Sequence, residues 1–91
     1  MDHNSNFINA ARRGVRTMAS GYFRSEIARL NERLADLDNQ VDRLNTRAAN
    51  AAMNGRDPDR SEQFLIGQIE NEKTKIRSSI ASLERRINRC R

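Results

Sequence analysis

IARLNERLADLDNQVDRLNTRAANA, residues 27–51, and IGQIENEKTKIRSSIASLERRINRC, residues 66–90, decide the fold. In the first, Ile27, Leu30, Leu34, Leu37, Val41, Leu44, Ala48 and Ala51 recur at alternating intervals of three and four. In the second, Ile66, Ile69, Lys73, Ile76, Ile80, Leu83, Ile87 and Cys90 do the same. Each stretch therefore carries an a/d heptad seam on one helix. The short connection NGRD, residues 54–57, leaves no room for a parallel return, so the helices are antiparallel neighbours. Unpaired, both seams would stay in water, forgoing roughly 1.5–3 kcal/mol per large aliphatic side chain. The expected fold is all-α: a two-helix antiparallel coiled-coil hairpin with an additional N-terminal amphipathic helical segment.

Placing an a residue opposite a d residue in every layer gives one register. It pairs Ile27 with Cys90, Leu30 with Ile87, Leu34 with Leu83, Leu37 with Ile80, and Val41 with Ile76. Leu44 then faces Lys73, Ala48 faces Ile69, and Ala51 faces Ile66, small against large near the loop. On the flanks it sets Asp38 near Arg77, Arg47 near Glu72, and Arg33 near Arg86. Lys73, at a core-type position, reads as a snorkelling lysine, as a polar residue that fixes register, or as a partner contact. Met53, Phe64 and Leu65 are surplus to the seam; they fold over the loop end or form an exposed apolar patch.

The helices are expected at about 22–53 and 58–89, with the turn at 54–57. Gly55 suits the left-handed position after a helix end, Asp57 the cap, and Pro58 the first turn of the second helix. Upstream, Ile8, Ala11, Val15, Met18 and Tyr22 recur at helical spacing, and Ser5 or Asn6 offers a cap oxygen. The apolar phase slips between Tyr22 and Phe23, and Gly14 and Gly21 each cost about 1 kcal/mol against alanine in a helix. Residues 1–20 thus read as a basic amphipathic arm, either a separable helix or a frayed extension, joined at Gly21 to the hairpin of residues 21–91.

Composition narrows the function. A chain of 91 residues, 32% of them charged and 4% aromatic, has its apolar groups on one seam and none left to enclose a reaction cavity. The single histidine, His3, and the single cysteine, Cys90, sit near opposite ends of the sequence. Catalysis needs a nucleophile or acid/base group beside an orienting partner, and zinc needs more ligands than this pair. A non-enzymatic protein is expected, with no catalytic residues, metal, cofactor or small-molecule substrate. Without a membrane-spanning apolar run or a signal-type stretch, and with one cysteine, the expected compartment is the cytoplasm.

The net charge of +5 is uneven. Arg12, Arg13, Arg16 and Arg24 are opposed only by Asp2 in residues 1–25, while Arg85, Arg86, Arg89 and Arg91 crowd the other terminus. A hairpin brings Arg29 and Arg33 to the same end. These ten arginines are the candidate anion-binding or nucleic-acid-binding residues, because guanidinium groups grip phosphate and carboxylate through paired donors. The alternative is that cations favour helix C-termini and basic surfaces aid solubility. Phe7, Ile8, Val15, Met18, Tyr22, Phe64 and Leu65 are the candidate protein-binding anchors.

The expected function is a coiled-coil interaction protein, basic and cytoplasmic: a small assembly factor, chaperone-like adaptor or inhibitor. A thin seam also predicts a homodimer, or stabilisation by a protein partner. The alternative is a nucleic-acid-associated hairpin, since the architecture is similar to the Rop-type RNA-binding hairpin at the level of fold alone. The turn, punctuated by Gly55 and Pro58, also resembles that of small helical hairpins serving as type III secretion chaperones. A membrane-surface role for residues 6–20 is the weakest reading, because the segment has few bulky apolar groups.

Overall fold

The computed structural model describes the backbone of residues 3–89 and the side chains of residues 19–89. Two helices, α1 (His3–Met53) and α2 (Arg60–Arg89), pack as an antiparallel hairpin, and the molecule measures 82 Å in its longest dimension. Among the described residues, no helix is long and apolar enough to cross a membrane.

The turn is built by local chemistry. Gly55 has φ +71°, the left-handed conformation that side chains resist. Its amide donates to the carbonyl of Ala52 at 3.1 Å, and the Arg56 amide donates to that of Ala51 at 2.8 Å. These two bonds form a Schellman motif and satisfy carbonyls left open at the end of α1. The start of α2 differs from expectation. Asp59, not Asp57, is the cap: its Oδ1 accepts from the Ser61 amide at 2.8 Å, and its carbonyl accepts from the Gln63 amide at 3.0 Å. Pro58 therefore precedes the cap rather than opening the helix, and α2 begins at Arg60.

The core comprises Leu37, Val41, Leu44, Ile69, Ile76 and Ile80, with Ile27, Leu30, Leu34 and Ile66 packed against it. These are seam residues, yet the register differs from the expected one by a full heptad. Arg86 sits over the ring of Phe23, 5.9 Å from its centroid; the expected register would separate them by more than two turns, about 12 Å. Leu65 lines one groove with Leu44, where that register would again leave about 12 Å between them. Lys73 pairs with Asp38, Arg33 with Glu72 and Arg47 with Glu62, replacing the expected neighbours Arg77, Arg86 and Glu72. The layers that satisfy these contacts are Phe23 with Ile87, Ile27 with Leu83, Leu30 with Ile80, and Leu34 with Ile76. Leu37 with Lys73, Val41 with Ile69, and Leu44 with Ile66 complete the seam toward the loop.

A seven-residue repeat superimposes on itself after a one-heptad slide, so apolar spacing alone satisfies both registers. The tight turn and the charges discriminate. In the observed register Lys73 reaches carboxylates and Arg33 escapes Arg86. Lys73 lies opposite Leu37 rather than Leu44, and Ala48 and Ala51 do not face Ile69 and Ile66. The expected pairing of Cys90 with Ile27 falls on a residue outside those described, while Ile27 faces Leu83.

In the arm, α1 runs unbroken through Gly14 and Gly21. Once a helix exists on both sides, propagation through a glycine is cheaper than stopping and nucleating again. At Gly21 an added Cβ would meet nothing within 4 Å, so close packing does not call for the glycine there. The phase slip is consequently a rotation of the apolar stripe around one helix, not a break in it.

Candidate functional site

The register and the continuity of α1 define the surfaces. Arg89, the last residue of α2, falls level with Gly21, so α1 residues 3–20 run beyond it for about 27 Å at 1.5 Å per residue. Continuing the heptad frame of the seam into this extension puts Asn6, Asn9, Arg13, Arg16 and Ser20 at a and d. Positions 8, 11, 15, 18 and 22 fall at c and f, roughly 160° around a helix turning 100° per residue. Tyr22, the one member of that stripe with a described side chain, is 67% exposed, while its neighbour Phe23 is half-buried under Arg86. The two rings meet edge-on, 5.9 Å apart and inclined at 66°. The side chains of Phe7, Ile8, Arg12, Arg13, Val15, Arg16 and Met18, and all of Arg91, lie outside the described residues.

At the junction, Arg24 is level with Arg86 and Arg85 with Ser25. Arg29 is committed elsewhere: it donates to Glu26, its Nε at 3.0 Å, and this bond holds the Glu26 carboxyl below its ordinary range and the guanidinium above its own. Arg33 is engaged by Glu72 at 3.2 Å, away from the junction. The structure therefore divides the six candidate arginines whose side chains are described. Among the described residues Arg24, Arg85, Arg86 and Arg89 form no ion pair, whereas Arg29 and Arg33 do. A shallow groove of about 380 Å³ runs past Glu26, Arg29, Leu30, Ser79, Leu83 and Arg86.

The loop end is apolar by comparison. Met53 and Phe64 are 84% and 69% exposed, and Leu65 is partly exposed, so these side chains form exposed surface rather than a cover over the turn. They do not make one face: Phe64 and Met53 take f positions and Leu65 a g position beside Leu44. Between the two ends, the outward b, c and f positions of α2 from Gln68 to Ser82 are polar or small, and offer no second seam.

Sequence reasoning missed the network around Lys73, which is 7% exposed. Its ammonium bonds to Asp38 across the helix pair and lies 3.4 Å from Glu70 on its own helix. The bond to Asp38 raises the Lys73 pKa, against the opposing effect of burial and with further help from Glu70. The signal was present as two carboxylates at e positions flanking a core lysine; the wrong register hid it. No buried side-chain polar atom among the described residues lacks a partner, and none of their His, Cys, Asp and Glu groups clusters as a metal site.

No family model, curated protein or solved structure matches this chain.

Proposed function

We propose that the protein is a non-enzymatic coiled-coil interaction module. The hairpin is the scaffold, and the extension of α1 is the docking helix. One observation carries this reading: α1 continues as helix past the end of α2, and Tyr22, which shares the c and f positions of the heptad frame with 8, 11, 15 and 18, is exposed where that extension begins. An amphipathic helix recognised by a protein groove presents anchors at this spacing, here Ile8, Val15, Met18 and Tyr22, with Phe7 beside them. The arginine-rich end adds a long-range electrostatic attraction, which raises association rates more than affinity. As a cytoplasmic adaptor or assembly factor, the chain would hold the helix rigidly at a fixed distance from a second contact.

Photo-crosslinking residues placed at Val15 and at Asp36, on an outward face of the hairpin, test this in the producing cell. A discrete protein adduct from position 15 and none from position 36 supports the reading. Adducts from both positions, or from neither, overturn it. A homodimer adduct at position 15 makes the partner a second copy of the chain.

A further inference from the structure

We propose that the step where α2 ends against the continuing α1 is a binding site for the phosphate backbone of duplex nucleic acid. This goes beyond the docking reading above and does not depend on it, since the two surfaces lie on opposite sides of α1.

Arg24 on α1 and Arg86 on α2 are level with one another, Arg85 is one residue lower, and Arg89 ends α2 beside Gly21. Further along the same unbroken helix, positions 12, 13 and 16 take g, a and d of the heptad frame, and Arg24 takes e. All four belong to the side of α1 on which α2 stands. A re-entrant corner results, with arginine positions on both walls. From position 12 to position 24 the axis rises about 18 Å, a length over which duplex DNA presents roughly ten phosphate charges.

Acids do little to cancel this charge. Glu26 is bonded to Arg29, leaving Glu84 as the other acidic residue of the described junction. Every base near the corner is arginine; the two lysines, Lys73 and Lys75, lie in the middle of α2. The planar, always-charged guanidinium matches phosphate oxygens through two parallel donors.

The same placement argues against a partner protein at this corner. Past the end of α2 the seam positions are Asn6, Asn9, Arg13, Arg16 and Ser20. A third helix laid there in the track of α2 would have to desolvate arginines at a and d, with no apolar layer gained. Stable protein interfaces need a desolvated core with anchors, whereas protein–DNA interfaces are strongly basic, polar and wet. Among the described residues no aromatic stacking set lines the corner, since Phe23 is occupied by Arg86, so the duplex rather than a single strand is the fitting form.

The test is fluorescence anisotropy of the full chain with a 20-base-pair DNA duplex and the corresponding RNA duplex, titrated across salt. The expected result is binding at about 0.1 M salt, with log Kobs falling linearly in log salt by about 0.9 per phosphate neutralised on DNA. Arg24→Ala/Arg89→Ala should reduce the slope on DNA by about 2 and weaken binding alike for unrelated sequences. Arg56→Ala/Arg60→Ala, an equal charge loss at the loop end, should leave the slope near that of the parent. Circular dichroism would verify that both variants remain helical. The proposal is overturned by absence of binding to either duplex at about 0.1 M salt, or by equal losses in the two double variants. Binding confined to phosphatidylserine vesicles, or to a poly-glutamate peptide, also overturns it.

Discussion

Lys73 and Asp38 are bonded across the two helices, with Lys73 buried in the layer of Leu37, the most buried side chain in the core. The pair forms in one of the two registers that the apolar pattern permits. In the expected register Lys73 would face Leu44, about 9 Å further along the axis from Asp38.

Replacing Lys73 with Leu should therefore keep the hairpin folded while loosening its register. Buried ion pairs exchanged for apolar residues are often neutral or stabilising, and polar core residues commonly act by excluding alternatives. In a Cys90→Ser background, the pair Leu34→Cys/Ile76→Cys should cross-link within one chain, and Leu34→Cys/Leu83→Cys should not. Adding Lys73→Leu should raise the yield of the second pair. An unchanged yield would mean that the turn, not the lysine, sets the register.

Stability should respond to pH at both extremes. The folded-state pKa of Lys73 is raised above its ordinary 10.5, so its contribution is fully present below that value and is lost as pH rises through the higher folded value. Thermal melts at increasing pH above 10 should show this loss, and Asp38→Asn should flatten it. Glu26 and Asp59 are lowered from 4.5 and 3.8, by Arg29 and by Ser61 respectively. Their contributions are present above those ordinary values and fade as pH falls through the lower folded ones.

Core and surface apolar residues should separate cleanly in denaturant titrations. Leu37→Ala removes a side chain that is 1% exposed and should cost about 2–5 kcal/mol. Phe64→Ala, at 69% exposure, should stay within about 0.5 kcal/mol of the parent. A large loss at Phe64 would mean that this face is covered in solution.

The same substitution should act with opposite signs at different glycines. Gly55→Ala forces a Cβ into the left-handed turn and should destabilise by about 1 kcal/mol or more. Gly21→Ala and Gly67→Ala place the new methyl in open space within helices, and each should stabilise by roughly 0.5–1 kcal/mol. Urea unfolding monitored by ellipticity distinguishes the three.

Much of this molecule was legible in the sequence because the determining physics is local. The three-four spacing of Leu30, Leu34, Leu37, Val41 and Leu44, and of Ile69, Ile76 and Ile80, specifies helices with one apolar face each. Asn54-Gly55 ends the first helix for a reason confined to one backbone angle. The arginines and the apolar stripe of the arm could be named from the sequence, but their relative placement could not. That placement needs the register, and a heptad repeat is unchanged by a slide of about 10 Å. Only the three-dimensional arrangement brings Arg86 onto Phe23, Lys73 to Asp38 and the end of α2 level with Gly21. The sequence determined that the chain doubles back, through short-range periodicity and turn chemistry. The tertiary structure decided where the two halves meet, because that choice rests on flanking charges and a tight turn that spacing does not encode.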